Sequence, residues 1–327
     1  MYLSYIGLVI GFITLIFSAD YFVKGASAIA RNIGISPLII GLTIVGLGTS
    51  APEMLVAGIA SLDGNNGLAI GNAIGSNIAN IGLVLGVSAI VCPIFINSSL
   101  LRREFPILLF VSIVSYLLLL DEVLSVIDGL ILLSGLVAFL AWLIHSAHQS
   151  RKNSVDPLDT DFSAEIPTDI RTSSATIFCF LGLIGLVLSS KLLVWAAINI
   201  ATHFGVSDLI IGLTIVAIGT SLPELAASIT SILKKEPDLA LGNIIGSNLF
   251  NLLAVLALPG IIHPDNVDKV VLTRDMPVML GLTILLYIVS FGFSKDACIG
   301  RIKGLVLVFI FIAYLGKLYF DSLGAAI

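Results

Sequence analysis

Stretch after stretch of about twenty mainly apolar residues divides this chain, and that spacing leaves little freedom in what it can become. Ten such stretches lie at roughly 3–30, 37–61, 67–93, 104–121, 123–146, 174–201, 208–233, 238–262, 271–294 and 303–321. Each is long enough to cross the hydrocarbon layer as a helix, which takes about 20 residues. Of the 327 residues, 57% are hydrophobic and 11% charged, against about 25% charged in a soluble domain. A water-soluble globule could not hide that much apolar surface, so the lipid bilayer must cover it. The expected fold class is all-α integral membrane, with ten transmembrane helices.

Several function classes fall away. The net charge of −5 comes with no basic stripe, so no nucleic-acid partner is expected. Cys92, Cys179 and Cys298 are scattered and lack CxxC spacing, which argues against a disulfide framework or a zinc site. HExxH, GxSxG and Walker signatures are missing, so neither an enzyme nor a soluble cofactor is expected. No positive charge precedes Lys24, so the opening apolar run is not read as a cleavable signal.

Lys and Arg gather on the cytoplasmic side of membrane proteins. With the N-terminus outside, Lys24, Arg31, Arg102, Arg103, Arg151, Lys152, Arg171, Lys234, Lys235, Lys295, Arg301 and Lys303 fall at inward ends. Lys269, Arg274 and Lys317 fall at outward ends, and Lys191 lies inside the sixth span. The bias places both termini outside and the polar segment 147–173 in the cytoplasm. Asp20, Lys24 and Lys191 are read as snorkelling or locally paired charges. Asp63 and Asp128 sit near span ends, and Asp208 is read as a helix cap.

A shift of 171 residues lays the sequence on itself without gaps. GLTIVGLGTSAPE at 41–53 meets GLTIVAIGTSLPE at 212–224, and GNAIGSNIAN at 71–80 meets GNIIGSNLFN at 242–251. Two polar-rich matches at one offset mark an internal repeat. The expected organisation is a five-helix repeat over 1–146 with its motif at 41–85, the loop 147–173, and a second repeat over 174–327 with its motif at 212–256. An odd number of spans per copy makes the second copy enter from the opposite side, so the repeats are inverted.

The repeated residues are those that lipid penalises. Glu53 and Glu224 lie inside apolar spans, with no basic residue at helical spacing. Thr49 and Thr220 stand four residues earlier, with Ser50 and Ser221 alongside; Ser76 and Asn80, like Ser247 and Asn251, share a helix face. Two carboxylates with hydroxyl and amide oxygens, and no thiol or imidazole, form a hard-oxygen set suited to Ca²⁺ and Na⁺. Pro52 and Pro223 should break the helices near Gly46–Gly48 and Ala217–Gly219, freeing carbonyls as further ligands. Asn72, Asn77, Asn243 and Asn248 are expected to hydrogen-bond between helices. Gly71, Gly75, Gly242 and Gly246 let those helices approach closely.

GTSAPE with GNAIGSNIAN, and GTSLPE with GNIIGSNLFN, resemble the two alpha repeats of the cation/Ca²⁺ exchanger superfamily, and within it the prokaryotic sodium/calcium exchangers. The resemblance is strongest over 37–90 and 208–260. It implies a central diamond of sites for one Ca²⁺ and several Na⁺, lined by Thr49, Ser50, Glu53, Ser76, Asn80, Thr220, Ser221, Glu224, Ser247 and Asn251. Backbone carbonyls of Gly46 and Ala217 match Na⁺ ligands in that family. It further implies that the long first and sixth helices slide against the rest. Some members carry Asp at one of the positions held here by Asn80 and Asn251; this chain has Asn at both. The expected activity is Na⁺/Ca²⁺ antiport in the plasma (inner) membrane by a monomer, with proton-coupled Ca²⁺ exchange as the alternative and a cation channel as a reading from another class.

Overall fold

The computed structural model describes residues 2–34, 37–96, 101–152, 170–203, 213–214, 217–291 and 298–324. Asp208 and most of the 147–173 segment lie outside the described residues. Seven described helical stretches are long and apolar enough to cross a membrane, and one further pair, Gly41–Thr49 with Ala51–Leu62, passes together across a 44° bend. The chain is thus an all-helical, multi-pass membrane protein. The fourth expected span is helical over Leu101–Leu118 but opens with Arg102, Arg103 and Glu104, and the seventh is described only in part.

In chain order, the elements that position the centre begin with α1 (Tyr2–Ile33). The bent second segment holds α2 (Pro37–Ile40), a wider π-helical turn at Gly41–Val45, α3 (Gly46–Thr49) and α4 (Ala51–Leu62). The third holds α5 (Asn66–Ala79), a π turn at Asn80–Leu85 and α6 (Gly86–Val91). Then come α7 (Leu101–Leu118), α8 (Val126–Lys152) and α9 (Thr172–His203). The second half continues with α10 (Ala217–Thr220), α11 (Leu222–Leu233), α12 (Pro237–Phe250), a π turn at Asn251–Val255 and α13 (Ala257–Ile262). A π turn at Val271–Asp275, α14 (Met276–Phe291) and α15 (Arg301–Gly324) complete it.

Burial separates these helices into a centre and a shell. The windows in Asn66–Val91 and Pro237–Ile262 are 78% and 89% buried, whereas those in Val126–His145 and Arg301–Asp321 are 28% buried. The shell turns large apolar side chains outward, among them Phe110, Ile127, Val137, Phe309 and Phe320, as a lipid-facing surface requires. The centre is apolar as well, with Ile74, Ile78, Leu85, Leu249 and Phe250 fully enclosed, but polar residues interrupt it. The cap on α8 is built by Ser125 and Asp128: Ser125 Oγ donates to Asp128 Oδ2 at 2.5 Å, and Asp128 N donates to Ser125 Oγ at 3.2 Å.

The halves interlock. α3 packs on α12, and α10 packs on α5. A Cβ added to Gly246 would lie 2.8 Å from Leu42 O, and one added to Gly75 would lie 2.8 Å from the Ala217 Cβ. Gly46 with Gly246, and Gly75 with Ala217, are the same contact related by the 171-residue shift. α1 and α9 pack along their length in opposite directions, with Gly7 against Leu192 and Ala196, and Gly25 against the backbone of Ala175 and Cys179. Two short antiparallel ladders also join the halves, Ile94–Phe95 with Cys298–Ile299 and Val123–Leu124 with Asp265–Asn266.

Close backbone approach therefore depends on the missing side chain at Gly246. Gly246→Val should lower stability by about 1–3 kcal/mol, the usual cost of overpacking. Gly281→Ala, where nothing lies within 4 Å of an added Cβ, should leave it unchanged or slightly raised. Thermal unfolding of the two variants in detergent checks this.

Candidate functional site

Each glutamate is set by the same five residues, Thr49-Ser50-Ala51-Pro52-Glu53 and Thr220-Ser221-Leu222-Pro223-Glu224. The helix ends at the threonine, turns at the serine (φ −81°, ψ 2° at Ser50; φ −80°, ψ 1° at Ser221) and restarts with the proline in its first turn. Proline fits there, because the missing N–H would find no helical partner in any case. Glu53 and Glu224 then occupy the first turns of α4 and α11, where backbone N–H groups favour negative charge.

The break expected near Gly46–Gly48 and Ala217–Gly219 thus falls instead at Ser50 and Ser221. Ser50 N still bonds Gly46 O at 3.0 Å, and Ser221 N bonds Ala217 O at 3.0 Å. The Gly46 and Ala217 carbonyls are not freed by the prolines; what each can still offer is its second lone pair.

All ten side-chain positions singled out in the sequence are buried: Thr49, Ser50, Glu53, Ser76, Asn80, Thr220, Glu224, Ser247 and Asn251 at 0% exposure and Ser221 at 1%. Their hydrogen bonds come in pairs related by the repeat. Asn72 Nδ2 donates to Glu53 O at 3.1 Å, and Asn243 Nδ2 donates to Glu224 O at 3.2 Å. Thr49 Oγ1 donates to Asn243 Oδ1 at 3.0 Å, and Thr220 Oγ1 to Asn72 Oδ1 at 3.2 Å. Thr49 and Ser247 hydroxyls lie 3.4 Å apart, Ser76 and Thr220 hydroxyls 3.5 Å. Each asparagine ties a glutamate's own backbone to a threonine of the other half. Thr49 also lies 3.0 Å from Val45 O, so its single proton is shared between its own helix and the opposite one.

The carboxylates themselves are less symmetric. Glu224 Oε1 accepts from Ser50 Oγ at 3.3 Å and from Ser247 Oγ at 3.2 Å. The matching bonds to Glu53 from Ser221 and Ser76 are not made. Glu53 lies within electrostatic reach of Glu224. Asn80 Nδ2 donates to Asn248 Oδ1 at 3.1 Å, and the π turns that begin at Asn80 and Asn251 pack on α11 and α4, the helices carrying the glutamates.

Six buried oxygens of this set have no hydrogen-bond partner among the described residues: Glu53 Oε1 and Oε2, Glu224 Oε2, Ser221 Oγ, Asn80 Oδ1 and Asn251 Oδ1. An unsatisfied buried polar group costs about 1–3 kcal/mol, and a charged one more. Carboxylate, hydroxyl and amide oxygens with no cationic side chain bonded to them among the described residues make a donor set for a hard cation. Among the described residues, no group of three or more His, Cys, Asp or Glu gathers elsewhere as a metal centre.

Four features escaped the sequence. Ser228 receives a second bond from Asn243 Nδ2, at 3.1 Å. The π turns at Asn80 and Asn251 have the composition of ordinary helix. Glu104 is a buried carboxylate, 1% exposed, that reads in sequence as an end charge beside Arg103. Asp275 is also fully buried, held by Arg274 Nε at 2.7 Å and Tyr314 OH at 2.8 Å, while Arg274 Nη1 reaches Asp321 at 3.0 Å. Only the unusual Arg-Asp step at a span's edge hints at that cluster.

Comparison with known proteins shows the family. The model of the sodium/calcium exchanger protein family matches residues 3–145 and 174–320, both halves and not the segment between them. CaxA of Alkalimonas amylolytica, an antiporter candidate, is 49% identical over 96% of this chain and 98% of its own length. The sodium/calcium exchanger MaX1 of Methanosarcina acetivorans is 31% identical over 97% of this chain and 99% of its own. A solved structure of the sodium-calcium exchanger NCX_Mj, soaked with Na⁺ and Ca²⁺, superposes with a TM-score of 0.78 at 33% identity, covering 97% of this chain and 98% of that one. The chain belongs to the sodium/calcium exchanger family, in its prokaryotic branch.

The asparagines make a direct structural test. Asn243→Ala removes bonds to Glu224 O, Ser228 and Thr49 at once and should destabilise the protein by about 1–3 kcal/mol through orphaned buried groups. Ser231→Ala removes only a bond to its own helix at Ala227 O and should change stability by less than about 0.5 kcal/mol. Melting curves of the purified variants report both.

Proposed function

We propose that this protein is a secondary antiporter that exchanges Na⁺ for Ca²⁺ across the plasma membrane by alternating access to the Glu53–Glu224 centre. The observation that carries this reading is the cluster of buried, unpartnered oxygens, contributed by both halves and containing two carboxylates. Glu53 and Glu224 bridge Ca²⁺. The hydroxyls of Thr49, Ser50, Ser76, Thr220, Ser221 and Ser247, the amide oxygens of Asn80 and Asn251 and the carbonyls of Gly46 and Ala217 complete Na⁺ cages around it. Oxygen ligands in a flexible set of this kind suit both ions. The names of MaX1 and NCX_Mj as sodium/calcium exchangers support the pair of substrates.

The proposed architecture is ten spans in two inverted five-helix halves, 1–146 and 174–327, joined by a cytoplasmic segment at 147–173. Antiparallel packing of α1 on α9, and the pairing of site hydrogen bonds at one sequence offset, support an inverted repeat. Inversion gives one site two equivalent routes, one to each side of the membrane. A gradient of one ion then suffices to drive the other, with no nucleotide involved. The basic-residue bias puts both termini outside.

Two experiments follow. In proteoliposomes, Glu53→Gln and Glu224→Gln should each lose Ca²⁺ flux at least tenfold while folding is retained, since one carboxylate about 4 Å from a divalent ion contributes up to about 4 kcal/mol per unit charge at an effective dielectric of ~20. In the parent protein an inward Na⁺ gradient should drive Ca²⁺ out at fixed pH; flux that follows a pH gradient and ignores Na⁺ would replace Na⁺ by H⁺ as the coupling ion. For orientation, an impermeant thiol reagent added outside intact cells should label a cysteine placed at position 2 or 326 and miss one at position 160.

A further inference from the structure

The clearest departure from the twofold correspondence lies where α1 meets the turn that follows α11. On one side Asp20 of α1 binds Lys234, with Nζ 2.7 Å from Oδ1 and 3.2 Å from the Asp20 carbonyl. The 171-residue shift carries Asp20 onto Lys191 of α9 and Asp63 onto Lys234. The equivalent pair on the other side is therefore Lys191 with Asp63. It is complementary again, with the signs exchanged between helix and turn.

The two turns have the same backbone. Asp63 has φ −81° and ψ 0°, Lys234 φ −87° and ψ 10°. The next residues both take the left-handed conformation, Gly64 at φ 74° and Lys235 at φ 62°. Asn65 and Glu236 follow at φ −98°, ψ 69° and φ −117°, ψ 65°. Asp63 and Lys191 are exposed, and no ion pair joins them among the described residues. The turns are alike, so what separates the two sides is that one pair is made and the other is not. A second tie strengthens the made side: Ser27 Oγ donates to Glu236 Oε2 at 2.6 Å, and the shift replaces Ser27 by Ile198, which has no polar group.

We propose that Asp20–Lys234 and Lys191–Asp63 are alternating latches, one closed in each access state. α1 and α9 press backbone to backbone at Gly25 with Cys179 and at Gly182 with Phe22, so they move as one body. A shift of that body along the membrane normal that brings Lys191 onto Asp63 carries Asp20 away from Lys234. Under the proposed orientation, Asp20–Lys234 lies on the cytoplasmic side. Ser27–Glu236 adds to that side alone, so the state with Asp20–Lys234 closed is the more populated one at rest. The functional meaning of the latches rests on the antiport reading above.

The test uses full-length protein in liposomes with Cys92, Cys179 and Cys298 replaced by Ala. Two double-cysteine forms are made, Asp20→Cys with Lys234→Cys and Asp63→Cys with Lys191→Cys, and treated with a cleavable bifunctional thiol reagent about as long as a Lys–Asp pair. Both should cross-link, the first faster, and each cross-link should stop Ca²⁺ exchange until the linker is cleaved. In the 63/191 form, Lys234→Asp should speed cross-linking by roughly two- to fivefold, the range of an exposed ion pair, and adding Asp20→Lys should reverse that gain. Failure of the 63/191 form to cross-link, exchange that continues through either cross-link, or no effect of Lys234→Asp overturns the latch. Sodium-driven Ca²⁺ flux in the untreated cysteine-free parent is measured alongside. Its absence, with the cross-linking pattern intact, would remove the antiport reading and leave the two-state latch standing.

Discussion

An ionised carboxylate in hydrocarbon costs at least ~2.5–3.5 kcal/mol on insertion scales, and this bundle encloses two carboxyl groups, Glu53 and Glu224, with no cationic side chain among the described residues bonded to either. That constraint organises the chain. Lipid-facing helices hold the bilayer away, and the two most enclosed segments, Asn66–Val91 and Pro237–Ile262, bring amide and hydroxyl groups to the carboxylates. On the proposed reading, mobile positive charge meets that electrostatic cost. A fixed lysine at the same place would satisfy the glutamates permanently and leave nothing to transport.

Side-chain roles divide within the site. Asn72 and Asn243 spend both ends of their amides on protein, the N–H on a glutamate carbonyl and the oxygen on a threonine of the other half. They are fasteners. Asn80 spends its N–H on Asn248 and leaves its oxygen unpartnered; Asn251 leaves both atoms unpartnered. As at Asn77, an unpartnered amide oxygen remains at Asn80 and Asn251. The π turns beginning at both residues widen the helix where those amides emerge, a device common at functional sites. Gly75 and Gly246 complete the arrangement by letting the cross-half contacts close.

Much of this could be read from the sequence because it is written twice. A single Thr or Ser in a membrane helix bonds its own backbone in most settings, and Thr49 does so at Val45. The repeat at one offset is what singles out Thr49, Asn72 and Glu53 from such ordinary polar residues, and the structure buries all ten side chains named for the centre. The sequence misplaced the helix break, since proline's clash with the carbonyl four residues back suggested Gly46–Gly48, whereas its fit to a helix's first turn puts the break at Ser50. The π turns, buried Glu104 and the Asp275–Arg274–Tyr314 cluster were not legible. A π turn has no compositional mark, and charges near a span's end look solvated until the neighbouring helices are in place.

The central claim is that one buried oxygen cluster, shared by the two halves, holds Ca²⁺ and Na⁺ in turn. Equilibrium binding of radioactive Ca²⁺ to the purified protein in detergent, titrated with Na⁺ at constant ionic strength and pH, addresses it without requiring transport. The account predicts saturable Ca²⁺ binding that Na⁺ displaces completely and that choline, at the same concentration, leaves in place. Ca²⁺ binding that persists undiminished at saturating Na⁺ would mean separate sites and would contradict it.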